Sequence, residues 1–228
     1  MSLDPETHGA FYGRRVGKRL RPLQLAQMES ALPRFLLSLE DINDPYTLFP
    51  ERPEALWLEI GFGGGEHLLA HATRERRTGF IGVEPFLNGM ARMAGELGAT
   101  DLTNIRLFNQ DAALLIDRLP DACLAGADLF YPDPWPKRRH WKRRFVRPDN
   151  LDRLARVIRP GGTLRVASDV PHYVGWTLAE IRAHGGFEWQ AETAADWTTP
   201  YPHWPGTRYE AKALREGRIP SYLTFLRR

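Results

Sequence analysis

From Ala55 to Ala167 the chain alternates short apolar runs with helix-patterned stretches, and no other feature narrows its possible folds as much. The runs are ALWLEI (55–60), FIGV (80–83), NIRLF (104–108), the segment entering Tyr131, and TLRVA (163–167). Helical stretches are expected between them at Glu66 to Arg76, Pro85 to Leu97, from Asp111 to about Leu119, and Asp149 to Ile158, with a turn at Pro160, Gly161 and Gly162. Strands alternating with helices imply βαβ units and a parallel sheet. Beyond the fifth strand the pattern gives a helix at Tyr173 to His184, a strand at Phe187 to Ala191, a proline- and aromatic-rich loop at Thr198 to Gly206, and a last strand at Tyr222 to Arg227. Those final two strands are expected to form an antiparallel pair closing one sheet edge. The expected architecture is α/β and Rossmann-like: a doubly wound, mostly parallel, seven-stranded sheet with an antiparallel C-terminal edge.

The length of 228 residues suits one principal domain with a proper core. We divide the chain into a basic N-terminal arm, residues 1–50, and a folded domain, residues 51–228. The arm holds Arg14, Arg15, Lys18, Arg19 and Arg21 and a single helix-like stretch at Leu23 to Leu32; the pattern reads as a loosely ordered tail or a cationic arm that orders on nucleic acid. Cys123 is the only cysteine, which excludes an internal disulfide framework and a multi-cysteine zinc site, and no metal is expected. No apolar run approaches the roughly 20 residues that span a bilayer, and no secretory leader is evident. The expectation is a soluble cytoplasmic protein, monomeric or homodimeric, without a membrane or an obligate protein partner.

Formal charge is only +3, so clustering matters more than total. The segment Asp128 to Arg147, DLFYPDPWPKRRHWKRRFVR, passes from apolar residues through a carboxylate set among prolines to a run of seven cations without an acid among them. Prolines cannot extend a ladder, since they lack the N–H donor and fix φ. Asp133 is therefore expected on a rigid turn at the carboxyl end of a strand, where open α/β sheets bind ligands. Basic runs are usually solvated faces. This one is interleaved with Trp135, His140 and Trp141, rings that offer flat faces to bases, while its cations can neutralise phosphates.

The second candidate site is the glycine cluster after the first strand. Glycines between a strand and a helix let backbone approach a ligand and leave helix N–H groups facing it. Here Gly61, Gly63 and Gly65 are spaced by two, with Glu66 where the dinucleotide fingerprint needs its last glycine. Glu59 before the loop would repel a phosphate but suits a cation. Both placements disfavour a nicotinamide dinucleotide and suit S-adenosyl-L-methionine, which carries an ammonium, a sulfonium and two ribose hydroxyls. Glu84, about 20 residues on, is placed to accept from both hydroxyls, and Asp111, after the third strand, to accept from the adenine amine.

These residues resemble the bacterial tRNA (guanine-N7)-methyltransferases, a class I S-adenosylmethionine-dependent family. LEIGFGGGEH (58–67), GVE (82–84), NQDA (109–112), PDPWPKRRHWKRR (132–144), SD (168–169) and TRYEAK (207–212) carry the resemblance, which runs from about residue 57 to the C-terminus. It implies that Glu59, Gly61, Gly63, Glu84, Asp111 and Asp133 contact the cofactor, with Asp133 also catalytic. It implies that Lys137, Asp169, Thr207, Arg208, Tyr209 and Glu210 hold the substrate guanine, and that Arg139, His140, Trp141, Lys142, Arg143 and Arg144 touch tRNA. The reaction implied is methylation of N7 of guanine 46 in the variable loop. There are two departures from the family pattern: Pro85 and Phe86 follow the second-strand Glu, and Trp141 replaces a commoner polar residue, adding stacking or packing against the fold. Thr207 and Glu210 also have capping-box spacing. The competing readings are an RNA-binding module on an inactive methyltransferase fold, and a methyltransferase of DNA or protein.

Overall fold

The computed structural model describes residues 12–228; the first eleven positions of the expected arm, Gly9 among them, lie outside the described residues. Seven strands form one sheet in the order β3-β2-β1-β4-β5-β7-β6: β1 (Ala55–Ile60), β2 (Thr78–Val83), β3 (Ile105–Phe108), β4 (Leu124–Phe130), β5 (Ile158–Ser168), β6 (Phe187–Trp189) and β7 (Ser221–Arg227). The chain divides into two compact units at Pro120.

In the first unit, β1 runs parallel to β2 from Ala55 opposite Thr78 to Ile60 opposite Val83. Strand β2 runs parallel to β3 from Phe80 opposite Ile105 to Val83 opposite Phe108. Nearly every residue of β2 is buried, as expected of a strand covered on both faces. Its helices are α1 (Pro22–Ala31), α2 (Glu66–Arg74), α3 (Leu87–Gly98) and α4 (Ala112–Arg118). Phe62, Leu68, Phe80, Met90, Met93, Leu97, Ile105 and Leu107 form the core. Leu32 and Phe35 belong to the same cluster, and Leu107 donates its N–H to the Phe35 carbonyl (2.8 Å) while its own carbonyl accepts from Leu37 (3.0 Å). Part of the expected arm therefore contributes core side chains and backbone pairing to this unit.

In the second unit, β4 and β5 are parallel, with a register shift between Leu124 and Gly126. The turn at Pro160, Gly161 and Gly162 lies inside β5 rather than before it. Gly161 has φ of 73°, and a Cβ on Gly162 would lie 2.8 Å from the Ala125 carbonyl, so only glycines suit this bulge. The helices are α5 (Pro148–Val157), α6 (Pro171–His184), α7 (Ala195–Thr198) and α8 (Arg208–Arg215). Strand β7 is antiparallel to β5 and β6 alike. The expected antiparallel pair is thus present at one edge of the sheet; within it β7 lies inside, beside β5, and β6 is outermost. Helix α8 occupies a stretch for which the sequence offered only the capping-box spacing; its start is set by that capping box, in which Thr207 and Glu210 satisfy each other's backbone N–H groups. Among the described residues no helix is long and apolar enough to cross a membrane.

Candidate active site

Strand β1 delivers Glu59 and then enters a loop in which Gly61, Gly63 and Gly65 take φ of 72°, 58° and 83°. Side chains rarely tolerate that region, which is why the spacing is glycine at alternate positions. The Gly61 N–H is held by the Val83 carbonyl (2.7 Å), and Phe62 is buried between the glycines as an anchor. The Gly63 N–H donates to Glu84 Oε2 (2.7 Å), and the Phe86 N–H donates to Glu84 Oε1 (2.9 Å). Two backbone donors thus orient a buried carboxylate, one of them from the glycine loop itself. A Cβ built on Gly89 of α3 would fall 2.5 Å from the Gly63 carbonyl oxygen, so α3 packs directly on this loop.

Glu59 is buried, and its Oε2 lies 2.7 Å from Nδ1 of buried His67 on α2. This partner was not legible in sequence, because it depends on α2 folding back over the end of β1. Asp111 caps α4, its Oδ1 accepting the Ala113 N–H (3.0 Å). Phe86 and Asn88 dock the basic segment that precedes α1: Leu87 N–H donates to the Arg15 carbonyl (2.8 Å), Gly17 N–H to Asn88 Oδ1 (2.8 Å), and Asn88 Nδ2 to the Lys18 carbonyl (2.8 Å).

The residues of this unit fit S-adenosylmethionine. Carboxylates stand at the ends of β1, β2 and β3, the loop between is glycine, and a Cβ at Gly61 would meet nothing within 4 Å, which leaves an open backbone face. Glu84 would take the ribose hydroxyls, Asp111 the adenine amine, and Glu59, steadied by His67, the ammonium.

In the second unit, β4 ends at Phe130 and the chain turns through Tyr131 and Trp135, whose φ values of 50° and 42° are rare for bulky side chains. Asp133 sits exposed on this turn, while desolvation by the surrounding protein holds its carboxyl above the usual carboxylate range. Lys137, Arg138 and Arg139 follow, also exposed, and residues 138–143 form a short 3-10 helix. Arg143 lies over the Trp135 ring (5.0 Å) and His140 meets that ring edge-on (5.6 Å). Lys142 is exposed. Trp141 takes the packing role, with ring centroids 5.1 Å from His172 and 5.3 Å from Trp176. Arg144 corrects its expectation as an RNA contact: it is 1% exposed, because its guanidinium is drawn inward by carbonyls and rings.

The residues expected at the guanine are partly engaged with one another. Asp169 Oδ2 accepts from Arg218 Nε (2.6 Å), and Arg218 also binds Glu216. Glu210 is buried; its Oε2 accepts from Trp204 Nε1 (2.7 Å) and the Thr207 N–H (3.3 Å), and its Oε1 from the Tyr222 hydroxyl. Tyr222 lies in a cluster with Phe130, Ala167 and Tyr201, against which Tyr131 and Trp204 pack. Burial and then the Glu210 carboxylate push the Tyr222 hydroxyl well above its ordinary pKa, so it stays a donor. Arg208 and Tyr209 remain exposed. Arg218, Trp204 and Tyr222 were missed in sequence; only the capping-box spacing gave a hint of where Glu210 turns.

Residues 53–220 match the methyltransferase family model described as "Putative methyltransferase". The chain is 59% identical to the tRNA (guanine-N(7)-)-methyltransferase of Azorhizobium caulinodans over 224 residues, covering 98% of this chain and 97% of that protein. It is 58% identical to the protein of the same name from Mesorhizobium japonicum, covering 97% and 96%. Among solved structures, an antibiotic-related methyltransferase aligns with TM-score 0.55 and 17% identity over 83% of this chain and 93% of that one. The aminoglycoside resistance methyltransferase NpmB1 aligns with TM-score 0.55 and 16% identity over 84% and 94%. The structural likenesses establish the class I methyltransferase fold, and on the sequence relatives the chain belongs to the tRNA (guanine-N(7)-)-methyltransferase family.

Proposed function

We propose that this chain methylates N7 of a guanine in tRNA, guanine 46 of the variable loop, using S-adenosyl-L-methionine. The observation that carries the reading is the proline-bound turn that presents Asp133 beside the exposed Lys137, Arg138 and Arg139. The cofactor, when bound, supplies the activated methyl group. Guanine N7 offers a lone pair, so no base is needed to remove a proton from it. The product ring gains positive charge. Asp133 stabilises that charge and holds the base through its N1 and N2 donors, and positioning supplies the remaining acceleration. Asp169, oriented by Arg218, and the Thr207 to Glu210 segment hold the guanine edge; Lys137 reaches O6 or a phosphate.

Arg139, Lys142 and Arg143 track phosphates, with His140 and Trp135 beside them. The domain is residues 51–228, to which residues 1–50 add the basic segment Arg14 to Arg21 as a further phosphate contact. The enzyme works in the cytoplasm, as a monomer or homodimer, without an obligate protein partner; the single cysteine suits a reducing compartment. Transfer of labelled methyl to unmodified tRNA, followed by mapping of the modified base, tests the whole reading. Label at N7 of the variable-loop guanine supports it. Cofactor binding without transfer to tRNA overturns the substrate.

A further inference from the structure

The cationic run contains one residue that the phosphate-tracking account cannot use. Arg144 is as buried as the leucines of the core, where a guanidinium needs hydrogen-bond and stacking partners; Nε and Nη2 carry its bonds, while Nη1 has none among the described residues. Its Nε donates to the Pro134 carbonyl (2.9 Å) and its Nη2 to the Trp135 carbonyl (3.3 Å). Nη2 also lies 3.1 Å from His172 Nδ1, which accepts, so the imidazole carries its proton on Nε2. The guanidinium is stacked among Trp141 (4.9 Å), Trp176 (4.8 Å) and Tyr173 (5.6 Å).

These partners come from two places. Pro134 and Trp135 are the two residues following Asp133, and Trp135 is one of the two aromatic residues held at positive φ. His172, Tyr173 and Trp176 lie in the first turns of α6, which starts two residues after Asp169. Two further bonds tie the stretch that carries Arg144 to the same helix: Trp176 Nε1 donates to the Val146 carbonyl (2.6 Å), and the Val146 N–H donates to the Tyr173 hydroxyl (3.4 Å).

We infer that Arg144 is a positioning residue for the methyl-transfer reaction: it braces the Asp133 turn against the start of α6 and so fixes two carboxylate-bearing segments relative to each other. The physical case is over-determination. A bulky residue at positive φ persists only where its surroundings hold it, and the carbonyls on either side of the Trp135 peptide N–H and Cα are the ones Arg144 grips. Lysine cannot replace it, since a single ammonium on a flexible stem cannot serve two carbonyls and a ring nitrogen in fixed geometry while stacking on three rings. The inference rests on the reading that Asp133 acts on the base.

The test is Arg144→Lys in the full-length chain, with His172→Ala as a second variant that removes one acceptor from an exposed position. Four quantities are read: the single-turnover methyl-transfer rate, S-adenosylmethionine affinity by calorimetry, tRNA affinity, and the slope of tRNA affinity against salt. A misplacement of about 1 Å costs on the order of 100-fold in rate, so Arg144→Lys should lose about tenfold to 100-fold in rate at saturating tRNA and His172→Ala a smaller factor. The affinity for tRNA should stay within about twofold and the salt slope unchanged, because Arg144 neutralises no phosphate. Full turnover in both variants overturns the brace. A salt slope lowered by about one with turnover retained at saturation overturns it in favour of a phosphate contact. If Arg144→Lys does not fold, His172→Ala decides alone by the same rate criterion. Asp133→Asn is run in parallel: if it keeps full turnover, the reading of Asp133 fails, which is a different result from failure of the brace.

Discussion

Gly89 offers a direct test of the glycine loop. It lies in the first turn of α3, and adding one methyl group would place a Cβ 2.5 Å from the Gly63 carbonyl oxygen and 2.9 Å from Glu84 Cγ. Both are well inside van der Waals contact, and the first neighbour is backbone, which cannot rotate away. Either α3 or the loop must move, and the Gly63 N–H bond to Glu84 stands between them. Overpacking of this kind costs about 1–3 kcal/mol. If the strain is taken by the loop, that range is about 5- to 150-fold in S-adenosylmethionine affinity, at about 1.4 kcal/mol for each factor of ten. The assay is calorimetric titration of Gly89→Ala beside Gly98→Ala, whose added Cβ would meet the Ala31 Cβ at an ordinary 3.5 Å. We expect a Kd at least about fivefold higher for the first and an unchanged one for the second. Binding of the cofactor by Gly89→Ala within twofold of the parent would refute the argument that the loop and Glu84 form the cofactor cradle.

Four other outcomes follow from the geometry. Gly175→Ala, in the exposed face of α6 with nothing within 4 Å of its Cβ, should gain about 0.5–1 kcal/mol by chemical denaturation. Tyr222→Phe removes a donor from the buried Glu210 carboxylate and should cost about 1.5–3 kcal/mol, or roughly 3–12 °C in melting temperature. Desolvation by the surrounding protein holds the Asp133 pKa above its unfolded value, so ionising it opposes folding: its contribution to stability is lost as pH rises through the folded value, while turnover that needs the carboxylate rises across the same window. Melting curves and rates over that window should show both trends in the parent, and Asp133→Asn should flatten the first and abolish the second. The buried Cys123 thiol is pushed up to about 11, so alkylation near neutral pH should be slow in the native protein and rapid in denaturant.

The regular elements were legible because they rest on local periodicity. ALWLEI and FIGV read as strands β1 and β2, and the proline turn after Phe130 marks where β4 stops. Carboxylates at strand ends were legible for the same reason. What sequence could not provide was pairing across long separations. His67 meets Glu59 only because α2 packs back, Arg218 reaches Asp169 from 49 residues away, and Tyr222 finds Glu210 across α8. Arg144 was misplaced by the most reasonable of local rules, that an uninterrupted run of cations faces water. Its neighbours Arg139 and Lys142 obey that rule. Arg144 breaks it because Tyr173 and Trp176, far along the chain, supply an aromatic slot that no local pattern announces. The antiparallel edge was legible in the same way, with β7 and β6 recognisable as partners, whereas insertion of the last strand beside β5 is decided by sheet packing.

That insertion has a consequence for synthesis. Strand β5 is complete long before β7 is translated, yet β7 is its hydrogen-bonding neighbour from Thr163 opposite Leu226 to Ser168 opposite Ser221. Until β7 has been made, β5 presents an open row of amide and carbonyl groups, a surface prone to pairing with other chains. The second unit therefore closes only once β7 has joined β5, and a chain cut back before Ser221 is left with an open sheet rather than being a slightly shortened enzyme. In such a chain the unit bearing Asp133 and Asp169 lacks the neighbour of its β5 strand, so the arrival of β7 gates competence for methyl transfer.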